Sequence, residues 1–188
     1  TSASVAALML SLALVTAFAG MARASYNSII VWMDGALNPD LYVAPSQEVV
    51  SRTLRFPPEM ADELAAIPGI SRIQKVRNAR IMFRGSPVMI VAVEVQSLSE
   101  TAPMPPVSGD QKDMYRRTAA GEGLMVSDNL ARLRGLAVGD QIEIPAPHGV
   151  IRLPVVGVVL DYSDQQGTIL MDRSLYERYW RDDSVNLF

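Results

Sequence analysis

Hydrophobic positions are unevenly distributed along the 188-residue chain, and the longest apolar run comes first. Residues 3–22 contain sixteen apolar positions, interrupted by two serines, one threonine and one glycine, and no charged residue precedes Arg23. A helix of about twenty such residues covers the hydrocarbon thickness of a bilayer. The pattern therefore predicts a transmembrane helix over residues 1–22.

Small residues recur along this run at spacings that place them on one helical face. Such a stripe allows a second membrane helix to approach closely. The spacings are 7, 4, 3 and 4 residues, and the candidate packing stripe consists of Ala6, Ala13, Ala17, Gly20 and Ala24.

After the apolar run, the pattern remains helical and becomes more polar. Residues 23–34 contain neither proline nor glycine, and Tyr26, Ile30 and Met33 recur at helical spacing. This pattern predicts a stalk helix over residues 23–37, with these three side chains as candidate stalk contacts and Gly35 as the signal that ends the helix.

Two other interpretations of the first segment remain open. A secretory signal peptide would also be apolar, and Ala17, Phe18 and Ala19 suit a cleavage site, but the positive n-region of such peptides is not seen here. A helix buried in a soluble core is disfavoured, because little sequence remains to cover a helix that is apolar all round.

The remaining residues alternate between short apolar runs and turn-forming residues, which predicts an α+β domain over residues 38–188. Its first part contains a helix from Pro57 to Ile67, with Met60, Leu64 and Ile67 as core residues, and a hairpin with arms at 70–83 and 88–95. The second arm is nearly all apolar, which predicts a central strand.

A proline-rich stretch, 99–110, predicts a linker that divides this domain into two subdomains, 38–98 and 111–188. In the second subdomain Ser127 and Asp172 are predicted N-caps, and Gly157 is a predicted bulge. Strands are predicted at 124–126, 141–144, 150–162 and 168–171, and helices at 113–120, 128–134 and 172–180.

Composition excludes several classes of function. The 17 basic residues do not exceed the 20 acidic ones, so we expect no nucleic-acid partner. Cysteine is absent and His148, the one histidine, lies in a predicted turn, which leaves no candidate catalytic, cofactor-binding or metal-ligating group. The sequence Asp161 to Gly167 has acidic spacing but lacks the ligand order of a calcium loop, and it is interpreted as a polar connection.

The order of segments resembles the FtsX-like permeases of ABC transporters, and in particular their extracytoplasmic core domain of the MacB type. The residues that carry the resemblance are Trp32-Met33-Asp34, Asn38 to Val43, Ile67 to Ile70, Gly123 to Ser127, Leu130-Ala131, Gly135 to Asp140 and Val156-Gly157-Val158.

This resemblance implies a membrane subunit that is not an enzyme and that lies in a bacterial cytoplasmic (inner) membrane, with its main domain on the extracytoplasmic side. ATP is expected only on a separate cytoplasmic ATPase subunit, and a second permease subunit is expected to complete a dimer. The implied function is transport or release of lipids, lipoproteins or amphiphiles, or mechanotransmission. The chain would then be a fragment of a longer permease; the alternative is a secreted periplasmic binding module released from a signal peptide.

Overall fold

The computed structural model describes residues 2–36, 40–45 and 54–188. These residues belong to two compact units, which divide after Asn38. The predicted turn at Asn38 and Pro39 lies outside the described residues, as does residue 37 of the predicted stalk.

The first unit is one continuous helix, α1 (Ser2–Ala36), of 35 residues. The predicted span and the predicted stalk are therefore parts of the same helix, roughly 50 Å long at 1.5 Å per residue. Its stretch Ser2–Ile30 is long and apolar enough to cross a membrane. The hydroxyls of Ser11 and Thr16 donate to carbonyl oxygens one turn back, at 2.9 and 2.7 Å, so these polar groups are satisfied within the helix.

The second unit is built on one mixed sheet of seven strands, in the order β1-β2-β7-β4-β6-β3, with β5 paired to the first half of β6. The strands are β1 (Val76–Phe83), β2 (Ser86–Val93), β3 (Pro106–Ser108), β4 (Leu124–Ser127), β5 (Gln141–Ala146), β6 (Gly149–Val159) and β7 (Thr168–Asp172). The helices are α2 (Met60–Ala65), α3 (Val95–Thr101), α4 (Gln111–Ala119), α5 (Asp128–Arg134) and α6 (Arg173–Trp180).

Hydrophobic side chains fill both faces of this sheet. Along β7, Ile169 and Met171 belong to a core that α5 and α6 cover, whereas Leu170 belongs to a second core under α3 and α4. Successive side chains of a strand point to opposite faces, so a continuous apolar run is what a strand covered on both sides requires.

The predicted hairpin is present, with β1 and β2 antiparallel in register from Val76 and Val93 to Phe83 and Ser86. Its turn is formed by Arg84 and Gly85, both with positive φ (48° and 80°), which suits the right-handed twist of the two strands. The second arm is central as predicted, because β2 lies between β1 and β7.

The predicted irregularity near Gly157 is also present. The partners of Leu124 and Met125 on β6 are Val155 and Gly157, so Val156 is an extra residue in that strand. A Cβ at Gly157 would lie 2.5 Å from the Met114 sulfur, which shows how closely α4 approaches the sheet there.

The structure differs from the sequence prediction over the linker 99–110. This stretch contains the end of α3 and all of β3, which pairs antiparallel with β6. The chain on either side of it contributes strands to one sheet, so the predicted subdomains 38–98 and 111–188 share that sheet.

The first predicted helix of the domain is shorter than expected. Only Met60–Ala65 is helical and it buries no residue, so the predicted core positions Met60, Leu64 and Ile67 are half-buried or exposed. On both sides of α2 the chain forms i to i+3 turns, with hydrogen bonds from Met60 to Pro57 and from Ile67 to Leu64. A short helix without buried packing gains little from adding further turns.

Candidate functional site

The sequence-predicted site residues lie on opposite faces of α1. At about 100° per residue, the five members of the small-residue stripe fall within about 60° of one another around the helix axis. Tyr26, Ile30 and Met33 cluster about 150° away from the centre of that stripe, on the other face. All eight residues are exposed. Their role as packing contacts stays a prediction.

The second candidate site is a junction within the second unit that joins its first and last described residues. We call residues 40–45 and 54–56 the leading segment and residues 181–188 the trailing segment. Val43 and Phe188 exchange two backbone hydrogen bonds, of 2.8 and 3.0 Å, and Phe56 and Val185 exchange two more, of 2.7 and 3.0 Å. Residues 41–44 are not a strand of the sheet; Val43 pairs with the trailing segment instead.

The trailing segment also bonds to the edge of the sheet. Val76, the first residue of β1, donates to the Leu187 carbonyl at 2.9 Å and accepts from the Asn186 N–H at 2.9 Å. The rings of Phe56 and Phe188 lie 5.6 Å apart and close the apolar side of the junction. The junction therefore attaches the trailing segment to the leading segment and to β1 together.

Local sequence explains how the trailing segment reaches this position. Helix α6 ends at Arg181, which has the left-handed conformation (φ 51°) that reverses the chain after a helix. Asp182 then accepts hydrogen bonds from the N–H and hydroxyl of Ser184, at 3.2 and 2.5 Å, which shape the next turn. The chain is thus directed from α6 toward β1.

A polar cluster consisting of Arg77, Tyr176, Asp182 and Asn186 lies inside the junction; we call it the Arg77 cluster. Asp182 is partly buried and the other three residues are buried. Arg77 is 4% exposed and donates from Nε and Nη2 to one oxygen of Asp182, at 2.9 and 2.7 Å. Its Nη1 donates to the Asn186 side-chain oxygen at 2.7 Å and to the Asn78 carbonyl. The guanidinium also lies 5.7 Å from the centre of the Tyr176 ring.

Asp182 is held as a carboxylate by its surroundings. Burial by itself raises the pKa of Asp182, but hydrogen bonds from Ser184 and Arg77, together with the Arg77 charge, outweigh it and lower the pKa to about 2. Tyr176 donates to the same carboxylate at 3.3 Å, and burial is the main reason that the pKa of Tyr176 rises to about 12. The cluster therefore remains a charged ion pair beside a neutral phenol over the physiological pH range.

A second buried arginine fixes the start of the trailing segment. The Arg173 guanidinium donates to the backbone carbonyls of Asp183 and Ser184, and its Nε lies 2.7 Å from a Glu177 carboxylate oxygen. Two guanidinium groups thus bind one short stretch of chain.

The other residues weighed from the sequence take part in hydrogen bonds of the fold. His148 lies at the tip of the β5–β6 hairpin, where its backbone N–H donates to the Tyr179 carbonyl at 3.1 Å. Asp161 accepts from the Ser163 N–H at 2.9 Å and from the Thr168 hydroxyl at 2.5 Å. Within residues 2–36, 40–45 and 54–188, no three metal-ligating side chains come together.

The sequence profile of the MacB-like periplasmic core domain family matches residues 1–187. The chain belongs to this family. It is also 26% identical over 189 residues to an uncharacterized ABC transporter permease protein of Mycobacterium tuberculosis, Rv0987. That alignment covers 98% of the chain and 22% of Rv0987, so the chain spans about a fifth of the relative's length.

The solved structure of a transporter's extracellular domain agrees with the MacB-like assignment at the level of the fold, and a second structure is less similar. The extracellular domain of the noncanonic ABC-type transporter YknZ from Gram-positive bacteria has a TM-score of 0.50 and 11% identity, with 78% of each chain covered. The periplasmic region of MacB from Actinobacillus actinomycetemcomitans has a TM-score of 0.47 and 11% identity, covering 78% of this chain and 70% of that one. The predicted fold class, an apolar N-terminal helix followed by a mixed helix and strand domain, is confirmed.

Sequence reasoning missed the Arg77 cluster because its members are distant in the chain. One local feature points to it. Arg77 lies on the same face of β1 as Ala79, Ile81 and Phe83, three residues that pack in the core. A charged side chain therefore occupies an inward-facing position. Such a position requires a buried partner, but the strand alone does not identify Asp182.

Proposed function

We propose that this chain is the membrane-anchored extracytoplasmic part of an ABC transporter permease and that it transmits movement across the membrane surface. The observation that carries the proposal is the continuity of α1, in which an uncharged apolar stretch and a more polar extension form one 35-residue helix ahead of a MacB-like domain. A single helix passes on a tilt or displacement without an intervening hinge.

In this proposal, a separate cytoplasmic ATPase subunit hydrolyses ATP, and its conformational change reaches the outside through α1. A second permease subunit contacts α1 along the small-residue stripe. The domain outside the membrane then drives the transport or release of lipids, lipoproteins or other amphiphiles. The permease description of the relative Rv0987 supports the general role.

Single-cysteine labelling tests the topology, because the chain has no cysteine of its own. We would substitute Arg152→Cys, at a side chain that is 70% exposed on β6, and compare it with Ser2→Cys at the start of α1. In intact bacteria a membrane-impermeant maleimide is expected to label the Arg152→Cys variant and to leave Ser2→Cys unlabelled until the membrane is permeabilised.

Two results would contradict the proposal. Labelling of both variants in intact cells would show that α1 does not separate two compartments. A mature chain that begins near Gly20 by mass spectrometry and is recovered outside the membrane fraction would support the secreted module released from a signal peptide.

A further inference from the structure

The leading and trailing segments run antiparallel, so a force that pulls them apart from one end of the junction acts on that end first. Val43 pairs with Phe188 at one end, and Phe56 pairs with Val185 further in. A pull that separates residue 43 from residue 188 would load these pairs one after the other, because hydrogen bonds between antiparallel strands lie across the strand direction. Two backbone pairs in series offer little resistance to such a pull.

Once the backbone pairs have separated, a continued pull would have to open the Arg77 cluster. Asn186 donates from its side chain to the Leu54 carbonyl at 3.1 Å, while its side-chain oxygen accepts from Arg77 and from the Asn78 N–H at 2.7 and 2.9 Å. Asp182 adds an ion pair to Arg55 on the leading segment at 3.4 Å, beside its shorter one to Arg77. The cluster therefore binds the leading segment, the trailing segment and β1 at once.

Opening this cluster would leave the Arg77 guanidinium buried without its carboxylate. Removing one partner of a buried ion pair is strongly destabilising, since the remaining charge has neither water nor a counter-ion. We propose that the Arg77 cluster is a latch that keeps the leading and trailing segments joined throughout the transport cycle, so that movement enters the domain as motion of one body. This inference rests on the proposed function only in its reference to a transport cycle.

Hydrogen exchange of the full chain in lipid nanodiscs tests the latch without any transport assay. In the native chain the amides of Phe56, Val76, Val185 and Leu187 are expected to be protected. Arg77→Met is expected to speed their exchange by at least about tenfold and to change exchange in β7 by less than about twofold. Asp182→Asn, which keeps the side-chain size, is the second variant should Arg77→Met fail to fold.

Arg80→Met is the matched control. It makes the same substitution on the same strand but removes a pair to Asp164 in which the arginine side chain is 60% exposed. Exchange in the trailing segment should not change in this variant. Fast exchange of the junction amides in the native chain, or an equal effect of Arg77→Met and Arg80→Met, would overturn the latch.

A reversible crosslink tests whether the latch stays closed during transport. Phe56→Cys combined with Val185→Cys places two thiols at a hydrogen-bonded antiparallel pair, where Cα atoms lie about 5.5 Å apart, within disulfide range. In the complete transporter, oxidation should leave transport unchanged. Loss of transport on oxidation that is restored by a reductant would show that the latch must open. If the uncrosslinked transporter moves no cargo, the proposed function fails, and the exchange experiment still decides whether the latch exists.

Discussion

Asp182 is the residue whose ionisation matters most to the junction. Its pKa is about 2 in the folded chain, against an ordinary value of 3.8. Because the folded state lowers this pKa, the carboxylate stabilises the fold fully above about pH 4, and this contribution is lost as the pH falls toward 2. We expect the free energy of unfolding of the native chain to decrease over that interval, measured by denaturant titration at a series of pH values.

The variant Asp182→Asn should be less stable at neutral pH and should lose less further stability on acidification. Asp183→Asn is the control, because this neighbouring carboxylate is on an exposed residue. The same acid dependence in the native chain and in Asp182→Asn would show that other groups dominate acid unfolding.

Position 167 requires glycine both because of its backbone conformation and because there is no room for a side chain. Its φ is +93°, and a Cβ there would lie 2.5 Å from the Leu130 Cβ and 2.9 Å from the Leu130 backbone nitrogen. Gly139 has a similar φ of +100° but nothing within 4 Å of an added Cβ. Thermal or denaturant unfolding should show Gly139→Ala destabilised by about 1–2 kcal/mol and Gly167→Ala by about 1–3 kcal/mol more. Equal losses would mean that the loop moves away from Leu130 at little cost.

For single residues, contacts within one helical turn were predictable from the sequence, and contacts between residues distant in the chain were not. Ser127 and Asp172 are N-caps as predicted, since each side chain accepts from an N–H at the start of the helix that follows. Gly135 takes the left-handed conformation that ends α5. These outcomes depend on residues within one turn, whereas the partner of Arg77 lies more than a hundred positions away in the chain.

Ser127 joins two elements through one hydroxyl oxygen. This oxygen accepts from the Leu130 N–H of α5 at 3.4 Å and from the Thr168 N–H of β7 at 2.8 Å, in a fully buried place. Ser127→Ala should therefore cost about 2–4 kcal/mol, the loss of a cap together with a buried N–H that loses this acceptor. Equilibrium unfolding in urea measures the difference.

Asp110→Ala provides the comparison, because the Asp110 side chain caps α4 at an exposed position through the Asp113 N–H alone. Its expected cost is about 1 kcal/mol. A loss for Ser127→Ala no larger than for Asp110→Ala would show that the link to β7 contributes nothing.

Elements with strong patterns were predicted well, and weakly packed ones were not. The apolar run in β2 predicts a central strand because only burial on both faces accommodates it, and β2 is central. The helix expected from Pro57 to Ile67 was too long because proline and glycine indicate where a helix is permitted, not whether tertiary contacts stabilise it. In 99–110, prolines hid the short edge strand β3, a position that proline tolerates.

In the whole molecule, the small-residue stripe is expected to determine association in the membrane. Ala17 belongs to the stripe, whereas Ala19 lies about 130° around the helix from the centre of the stripe. Ala17→Leu should weaken self-association of the membrane-embedded chain, because a larger side chain prevents close approach, and Ala19→Leu should not. Energy transfer between labelled copies in liposomes measures the effect. Equal behaviour of the two variants would exclude the stripe as the contact face.

The order of strands in the sheet was beyond sequence reasoning. Each strand carries its own pattern, but nothing local in β7 specifies that it pairs with β2 on one side and β4 on the other. That choice depends on how all the apolar faces are covered at once. The membership of the chain in the MacB-like family, by contrast, was accessible from the order of short motifs along it.

The position of β7 after the β1–β2 hairpin also constrains how this domain folds during synthesis. The β1–β2 hairpin is synthesised before β7, the strand that bridges it to the rest of the sheet. Until then the open edge of β2 is exposed to pairing with other chains. Folding of this domain should therefore depend on chaperones that shield that edge until β7 pairs with it.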